Sequence, residues 1–320
     1  MNYSPILIVS GEPNSVFLEI FFKTLKLKIK SPLILISSER LIKLQMKKLN
    51  FNKKIKLLNP KKISEYKLNN KSINLINIDY NPIKAFEKIS KKSRKFVHNS
   101  FDMSFEILKK NNIYKFINGP ISKENFLNKK YLGMTEYISK KFDVKKNCML
   151  IYNNNLSVCP ITTHLPLKMV AKRINKKLII EKVKLINDFY KIKLKKKPKI
   201  ALLGLNPHCE SVLKLNEDKI ILKSAVNFLK KKKYTISGPY SADTAFLKQN
   251  RKKIDVIIGM YHDQVLTPFK TLFEYDAINI TLGLPFIRIS PDHGPNVKML
   301  GKNLSNPLSL IKAIKFLEKN

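Results

Sequence analysis

The sequence predicts an α/β chain, a mostly parallel sheet layered between helices. Short β-branched or apolar runs alternate with longer amphipathic stretches from one end to the other, the signature of strand–helix–strand crossovers. No Pro/Ser-rich linker, low-complexity tail or internal repeat divides the 320 residues. Any second lobe is therefore interwoven with the first.

The strands are expected, in order, at 6–9, 33–36, 73–78, 116–117, 149–152, 156–161, 200–205, 234–237, 256–258 and 277–281, each a short run rich in Ile, Leu or Val. Helical patterns occupy 16–27, 38–49, 93–111, 165–190, 217–231 and 307–318. The stretch 277–290 is strand-rich but interrupted by Gly283 and Pro285, which suits a bent arm or an edge strand.

Lys and Arg number 62 against 23 Asp and Glu, a net charge of +39. An excess this large ordinarily suggests a polyanionic partner. Here it is nearly all lysine spread over the chain, with arginine only at 40, 94, 173, 251 and 288, so solvated lysine faces explain it and no specific nucleic-acid partner is expected. No run of 18 apolar residues occurs, which predicts no membrane span, and the opening residues read as a first strand, not a signal peptide. Cys148, Cys159 and Cys209 are odd in number and lack C-x-x-C spacing, so the expected setting is a reducing cytoplasm.

Three of the five histidines follow apolar runs and sit in compact polar motifs: Thr162-Thr163-His164-Leu165-Pro166-Leu167, Leu205-Asn206-Pro207-His208 and Tyr261-His262-Asp263-Gln264. Each alone is more often a hydrogen-bonded structural histidine. Together they look like three ligands of one divalent metal delivered from three strand ends, with Asp263 and Gln264 orienting His262 or holding metal-bound water. Lys270, Asn279 and Arg288 follow as anion-binding candidates. Arg288, in Pro-Phe-Ile-Arg-Ile-Ser, suits a phosphate or carboxylate better than one more lysine does. Gly119 to Glu124 opens a helix with Ser122 as its cap, an anion site or an ordinary turn. Asp243, at another helix start, is a general base, a ligand of metal-bound water or a cap; Asp243, Lys270 and Asp263 are the candidates for catalytic work. No G-x-G-x-x-G, Walker A or G-x-S-x-G motif is present.

These motifs, with Gly133-Met134-Thr135-Glu136-Tyr137 and Asn279-Ile280-Thr281-Leu282-Gly283-Leu284-Pro285, occur in an order that resembles the 4-hydroxythreonine-4-phosphate dehydrogenases, from Gly11 to the C-terminal helix. The resemblance implies an isocitrate/isopropylmalate dehydrogenase-like α/β/α fold in two interwoven lobes around a cleft, split at about 1–125 with 285–320 and 126–284. It implies a homodimer with its active site at the interface and a divalent metal (zinc, cobalt or magnesium) on His164, His208 and His262, with at least one of these ligands crossing from the partner subunit. It also implies NAD or NADP as hydride acceptor, and oxidation then decarboxylation of 4-phosphohydroxy-L-threonine to 3-amino-2-oxopropyl phosphate, a precursor of pyridoxal phosphate. Thr135, Lys270, Asn279 and Arg288 match substrate-binding positions. Asp292, His293, Gly294, Lys298 and Asn306 match a nucleotide-binding loop, where Lys298 replaces an aspartate usual in NAD-specific members and would attract a 2′-phosphate.

Some positions depart from the family. Its opening Gly-Asp-Pro-Ala-Gly-Ile-Gly-Pro-Glu stands here as Gly11-Glu12-Pro13-Asn14-Ser15-Val16-Phe17-Leu18-Glu19, Met134 replaces a substrate-contacting histidine, and Cys209-Glu210-Ser211 replaces Ala-Gly-Glu-Gly. Two alternatives follow. One is a dehydrogenase of another four-carbon phosphorylated hydroxy acid, a phospho-threonate or phospho-erythronate; the other is an inactive paralogue that binds polyanions.

Overall fold

The computed structural model describes residues 3–127, 131, 133–211, 216–291 and 294–320. Among these residues the strands are β1 (Ile6–Val9), β2 (Leu33–Ser37), β3 (Ile55–Leu57), β4 (Ile73–Asn77), β5 (Lys115–Asn118), β6 (Cys148–Tyr152), β7 (Ser157–Pro160), β8 (Ile200–Leu203), β9 (Ile236–Tyr240), β10 (Val256–Gly259), β11 (Ile278–Leu282) and β12 (Ile287–Pro291). The chain forms two compact units, Met1–Tyr131 with Pro285–Asn320, and Leu132–Leu284.

In the first unit the strands lie in the order β3-β4-β2-β1-β5-β12, each parallel to its neighbours. Every residue of β1 and β2 is buried, as expected for parallel strands covered on both faces, which is why they read as unbroken apolar runs. The order reverses between β1 and β5, and the chain leaves both strands through tight glycine turns. Gly11 has φ +74°, and a Cβ on it would lie 2.3 Å from the Pro120 carbonyl oxygen, so only glycine fits.

The residues after Gly11 that depart from the resembled opening motif, Glu12, Asn14 and Ser15, are satisfied locally. The Ser15 hydroxyl donates to the Glu12 carbonyl at 2.7 Å, while the buried Glu12 carboxylate accepts from Asn14 N–H (3.3 Å) and the Ser93 hydroxyl (3.0 Å). Burial raises the Glu12 carboxyl above the ordinary carboxylate range against those two bonds. A raised pKa in the folded state means that the protonated form favours folding; that contribution is complete below the unfolded value and lost as pH rises through the folded one. Glu12→Gln removes the titration. Its melting temperature relative to wild type is therefore expected to be more favourable at about pH 7.5 than at about pH 4, and a difference independent of pH would contradict the assignment.

In the second unit the order is β11-β6-β7-β10-β8-β9. β11, β6 and β7 are antiparallel to one another in turn, whereas β7, β10, β8 and β9 run parallel. Val158, Leu203 and Ile257 of the parallel strands share a core with Val265, Leu266 and Phe269 of the helix His262–Phe273. Burying Phe269 alone contributes about 2–3 kcal/mol, and the Val265/Leu266/Phe269 stripe seats that helix with His262 in its first turn.

Several elements differ from expectation. The 165–190 helix is broken into Val170–Arg173 and Lys176–Lys193, because Asn175 is extended and its side chain caps the second piece by accepting from Leu178 N–H at 2.9 Å. β9 starts two residues later than the 234–237 run, and 277–290 resolves into β11 and β12, one in each unit. β3, with two of its three residues exposed, had no apolar run to reveal it. The helix Met134–Lys141 and the helix His262–Phe273, which carries Pro268 inside it, were also missed. The three cysteines are free thiols, and among the described residues no helix is long and apolar enough to cross a membrane.

Candidate active site

The parallel strands of the second unit direct its chemistry to one edge. His164 follows β7, His262 follows β10 and His208 follows β8, so all three extend from the carboxyl ends of three adjacent parallel strands, with Asp243 just beyond β9, the next in line. That edge is where open α/β sheets place ligands.

Hydrogen bonds continue past the strand ends and fix the loops. Ile161 N–H donates to the Gly259 carbonyl at 2.8 Å, and the Thr162 hydroxyl to the Met260 carbonyl at 2.7 Å, joining the His164 loop to the His262 loop. Gln264 joins the His262 loop to the His208 loop: its Oε1 accepts from Met260 N–H (2.6 Å) and its Nε2 donates to the Gly204 carbonyl (2.8 Å). Gln264 was expected to orient His262 or hold water; its amide instead bridges backbone. Asp218 is buried and accepts from Leu205 N–H (2.7 Å), Asn206 N–H (3.1 Å) and Asn206 Nδ2 (2.8 Å), pinning the chain just before His208. His208 and Cys209 both take left-handed backbone (φ +54° and +60°), a conformation that costs a residue with a Cβ about 1–2 kcal/mol. The family's Ala-Gly-Glu-Gly supplies glycine in this stretch; here Cys209 makes the turn without it.

The His164 and His262 ring centres are 5.9 Å apart, tilted by 35°. Two imidazoles bound through nitrogen to one ion at about 2.0–2.1 Å hold their ring centres roughly 5–6 Å apart, so this pair fits a shared divalent metal. His262 Nδ1 is 2.6 Å from Asp263 Oδ1, which makes Asp263 a partner of the ring. His208 lies with Asp243: the imidazole, after the Ser241 side chain and the Thr244 N–H, helps to hold the exposed Asp243 carboxyl below its ordinary range. Among the described residues no three His, Cys, Asp or Glu side chains stand close enough to hold an ion.

The Gly133–Tyr137 motif connects this edge to β11. The buried Thr135 hydroxyl meets the Thr281 hydroxyl at 3.5 Å, and Asn279 shares that face of β11 with a buried Oδ1 that has no hydrogen-bond partner among the described residues. Glu136 reaches the other way, its Oε1 accepting from the Thr163 hydroxyl at 3.2 Å. Lys270 is exposed in the last turn of the helix that His262 opens, about 12 Å along the axis from it.

The remaining expected residues belong to the first unit. Arg288, on β12, is buried, and its Nε donates to Asn118 Oδ1 at the end of β5 at 2.7 Å. Gly294 is exposed, Lys298 is exposed on the turn Val297–Met299, and Asn306 Oδ1 accepts from Leu308 N–H at 2.9 Å at the start of the last helix. Glu19 accepts from Ser305 N–H at 2.7 Å, so the retained end of the Gly11–Glu19 turn anchors that loop. Asp292 and His293 lie outside the described residues. Sequence reasoning assigned no role to Asp218 or Glu136. Asp218 was visible only as an acid at a helix start, and Glu136 was quoted in its motif without a partner to explain it.

The profile of "Pyridoxal phosphate biosynthetic protein PdxA" matches residues 28–317. The 4-hydroxythreonine-4-phosphate dehydrogenase of Bacteroides thetaiotaomicron is 30% identical over 318 residues, covering 96% of this chain and 86% of that protein. The enzyme of the same name from a Sulfurihydrogenibium species is 45% identical over 199 residues, a match that spans 61% of each chain, less than two thirds of the relative's length. A structure from Salmonella typhimurium assigned to that enzyme superposes with a TM-score of 0.84 at 26% identity, over 99% of both chains. With the histidines on their strand ends and the profile spanning both units, the chain belongs to the PdxA family of pyridoxal phosphate biosynthetic proteins.

Proposed function

We propose that this chain is a metal-dependent, NAD(P)-linked dehydrogenase that oxidises the 3-hydroxyl of 4-phosphohydroxy-L-threonine and releases carbon dioxide to give 3-amino-2-oxopropyl phosphate. The row of three imidazoles at the carboxyl ends of β7, β10 and β8, on a chain of this family, carries the reading. His164, His208 and His262 would hold the metal, zinc, cobalt or magnesium, in a homodimer. When bound, such an ion supplies Lewis acidity toward substrate oxygens, easing loss of the hydroxyl proton during hydride transfer and the build-up of negative charge as carbon dioxide leaves.

The chain's own residues do the positioning. Asp263 keeps His262 in one ring orientation, while Gln264 and Asp218 keep two of the histidine loops in register. Thr135, in the opening turn of the helix Met134–Lys141, offers a hydroxyl where backbone N–H groups also favour an anion, the place for the substrate phosphate. Asn279 offers its amide from the neighbouring strand.

Met134 supports a second reading. A thioether in place of a histidine removes a donor next to Thr135 and suits a phospho-threonate or phospho-erythronate. A panel of 4-phosphohydroxy-L-threonine and these two acids, each with NAD and NADP and with metal supplied, separates the readings by the rate of reduced nicotinamide formation. The first expects the aminated substrate to give the highest kcat/KM. A preference for a sugar acid replaces it with the second, and no turnover of any of them removes both.

A further inference from the structure

The edge of the second unit holds a carboxylate that the reaction has not used. Glu136 sits in the first turn of the helix Met134–Lys141, and its Oε2 is buried with no hydrogen-bond partner among the described residues. A buried carboxylate oxygen without a donor is costly, so a partner is expected. The geometry around Gly133 shows which one. A Cβ built on Gly133 would lie 2.8 Å from Nδ1 and Cε1 of His164 and 2.9 Å from Glu136 Oε2, so ring and carboxylate converge on the space that the missing side chain leaves. Gly133 is extended, at φ −167°, a conformation any residue adopts. What glycine supplies here is room. The other oxygen of Glu136 is held by the Thr163 hydroxyl, on the residue preceding His164, which fixes the carboxylate against the same loop.

We propose that Glu136 is the positioning residue of His164: its Oε2 accepts the Nδ1 proton of the ring and leaves Nε2 to face the metal, as Asp263 does for His262. The inference rests on the reading of His164 as a metal ligand. A carboxylate behind a ligating imidazole fixes its tautomer and orientation, and loss of such a partner typically costs about 10- to 100-fold in metal affinity. Gly133 then has a specific duty, to let the two groups meet.

The test uses the full chain, stripped of metal and reconstituted with cobalt(II), with affinity read by chelator competition and ligand geometry by the cobalt absorption spectrum. Glu136→Ala is expected to weaken cobalt binding by about 10- to 100-fold and alter the spectrum, and Glu136→Gln, which keeps one accepting oxygen, to recover part of the loss. Gly133→Ala, which leaves Glu136 in place but wedges a methyl between the groups, is expected to act in the same direction and decides the matter if Glu136→Ala does not fold. Wild-type affinity and spectrum in Glu136→Gln and Gly133→Ala overturn the proposal. His164→Ala separates the two levels. If it loses cobalt while the Glu136 and Gly133 variants keep it, only the positioning role fails; if it binds cobalt like wild type, His164 is not a ligand and both readings fall.

Discussion

His262→Ala is expected to lose tightly bound metal and to lower kcat/KM by about 10³-fold or more, roughly 4 kcal/mol of transition-state stabilisation, with little change in melting temperature. The size follows from position. His262 stands on the middle one of the three adjacent strand ends, 5.9 Å from the His164 ring and joined by Gln264 and Thr162 to both neighbouring loops. Removing its ring takes away a proposed ligand without disturbing the core, because the helix behind it is seated by Val265, Leu266 and Phe269. Asp263→Ala, which removes only the ring's partner, is expected to cost less, about 10- to 100-fold in metal affinity. Metal content after dialysis and steady-state kinetics check both. Full metal occupancy with near-normal kcat/KM in His262→Ala would mean that the ion, if there is one, sits elsewhere.

Asp218→Ala is expected to act on folding first. Three donors, Leu205 N–H, Asn206 N–H and Asn206 Nδ2, converge on this one buried carboxylate; alanine leaves the two backbone N–H groups facing a void, while Asn206 Nδ2 keeps Glu217 Oε2 at 3.2 Å. Stranding buried donors costs about 1–3 kcal/mol each when water cannot replace the acceptor, so a loss of about 3 kcal/mol, or roughly 6–12 °C in the melting transition, is expected. The functional effect should exceed what lower stability alone explains, because these groups directly precede the strained His208–Cys209 turn. Asp218→Asn, which keeps acceptor oxygen at Oδ1, should lose less of both. Thermal denaturation followed by two probes, together with metal affinity at a temperature where the variant is folded, distinguishes the two effects. A variant as stable as wild type would show that water satisfies the two backbone donors.

Much of the sheet was legible in the sequence because parallel strands buried on both faces, such as β1 and β2, must be continuous apolar runs. β3 escaped because a half-exposed three-residue edge strand needs no such run. The helix Lys176–Lys193 was placed but its start was not, since the break is a local choice by Asn175, whose side chain substitutes for backbone. At the site, the motifs located the three histidines but not what surrounds them. Gln264 and Asp218 act on backbone groups of other loops, and Glu136 meets His164 only through the space at Gly133. Such partnerships depend on strand order, and no spacing along the chain encodes that β10 lies between β7 and β8.

The same strand order bears on how the polypeptide matures. β12 hydrogen-bonds along β5, yet more than 150 residues separate them, nearly all belonging to the second unit. As the chain leaves the ribosome, the second unit has all of its strands while β5 still lacks its partner on one side. Until β12 arrives, the first unit carries an unpaired parallel edge at β5, and an unpaired strand edge is a template for association with other chains. A net charge of +39 works against such association, because like-charged chains repel one another as they approach.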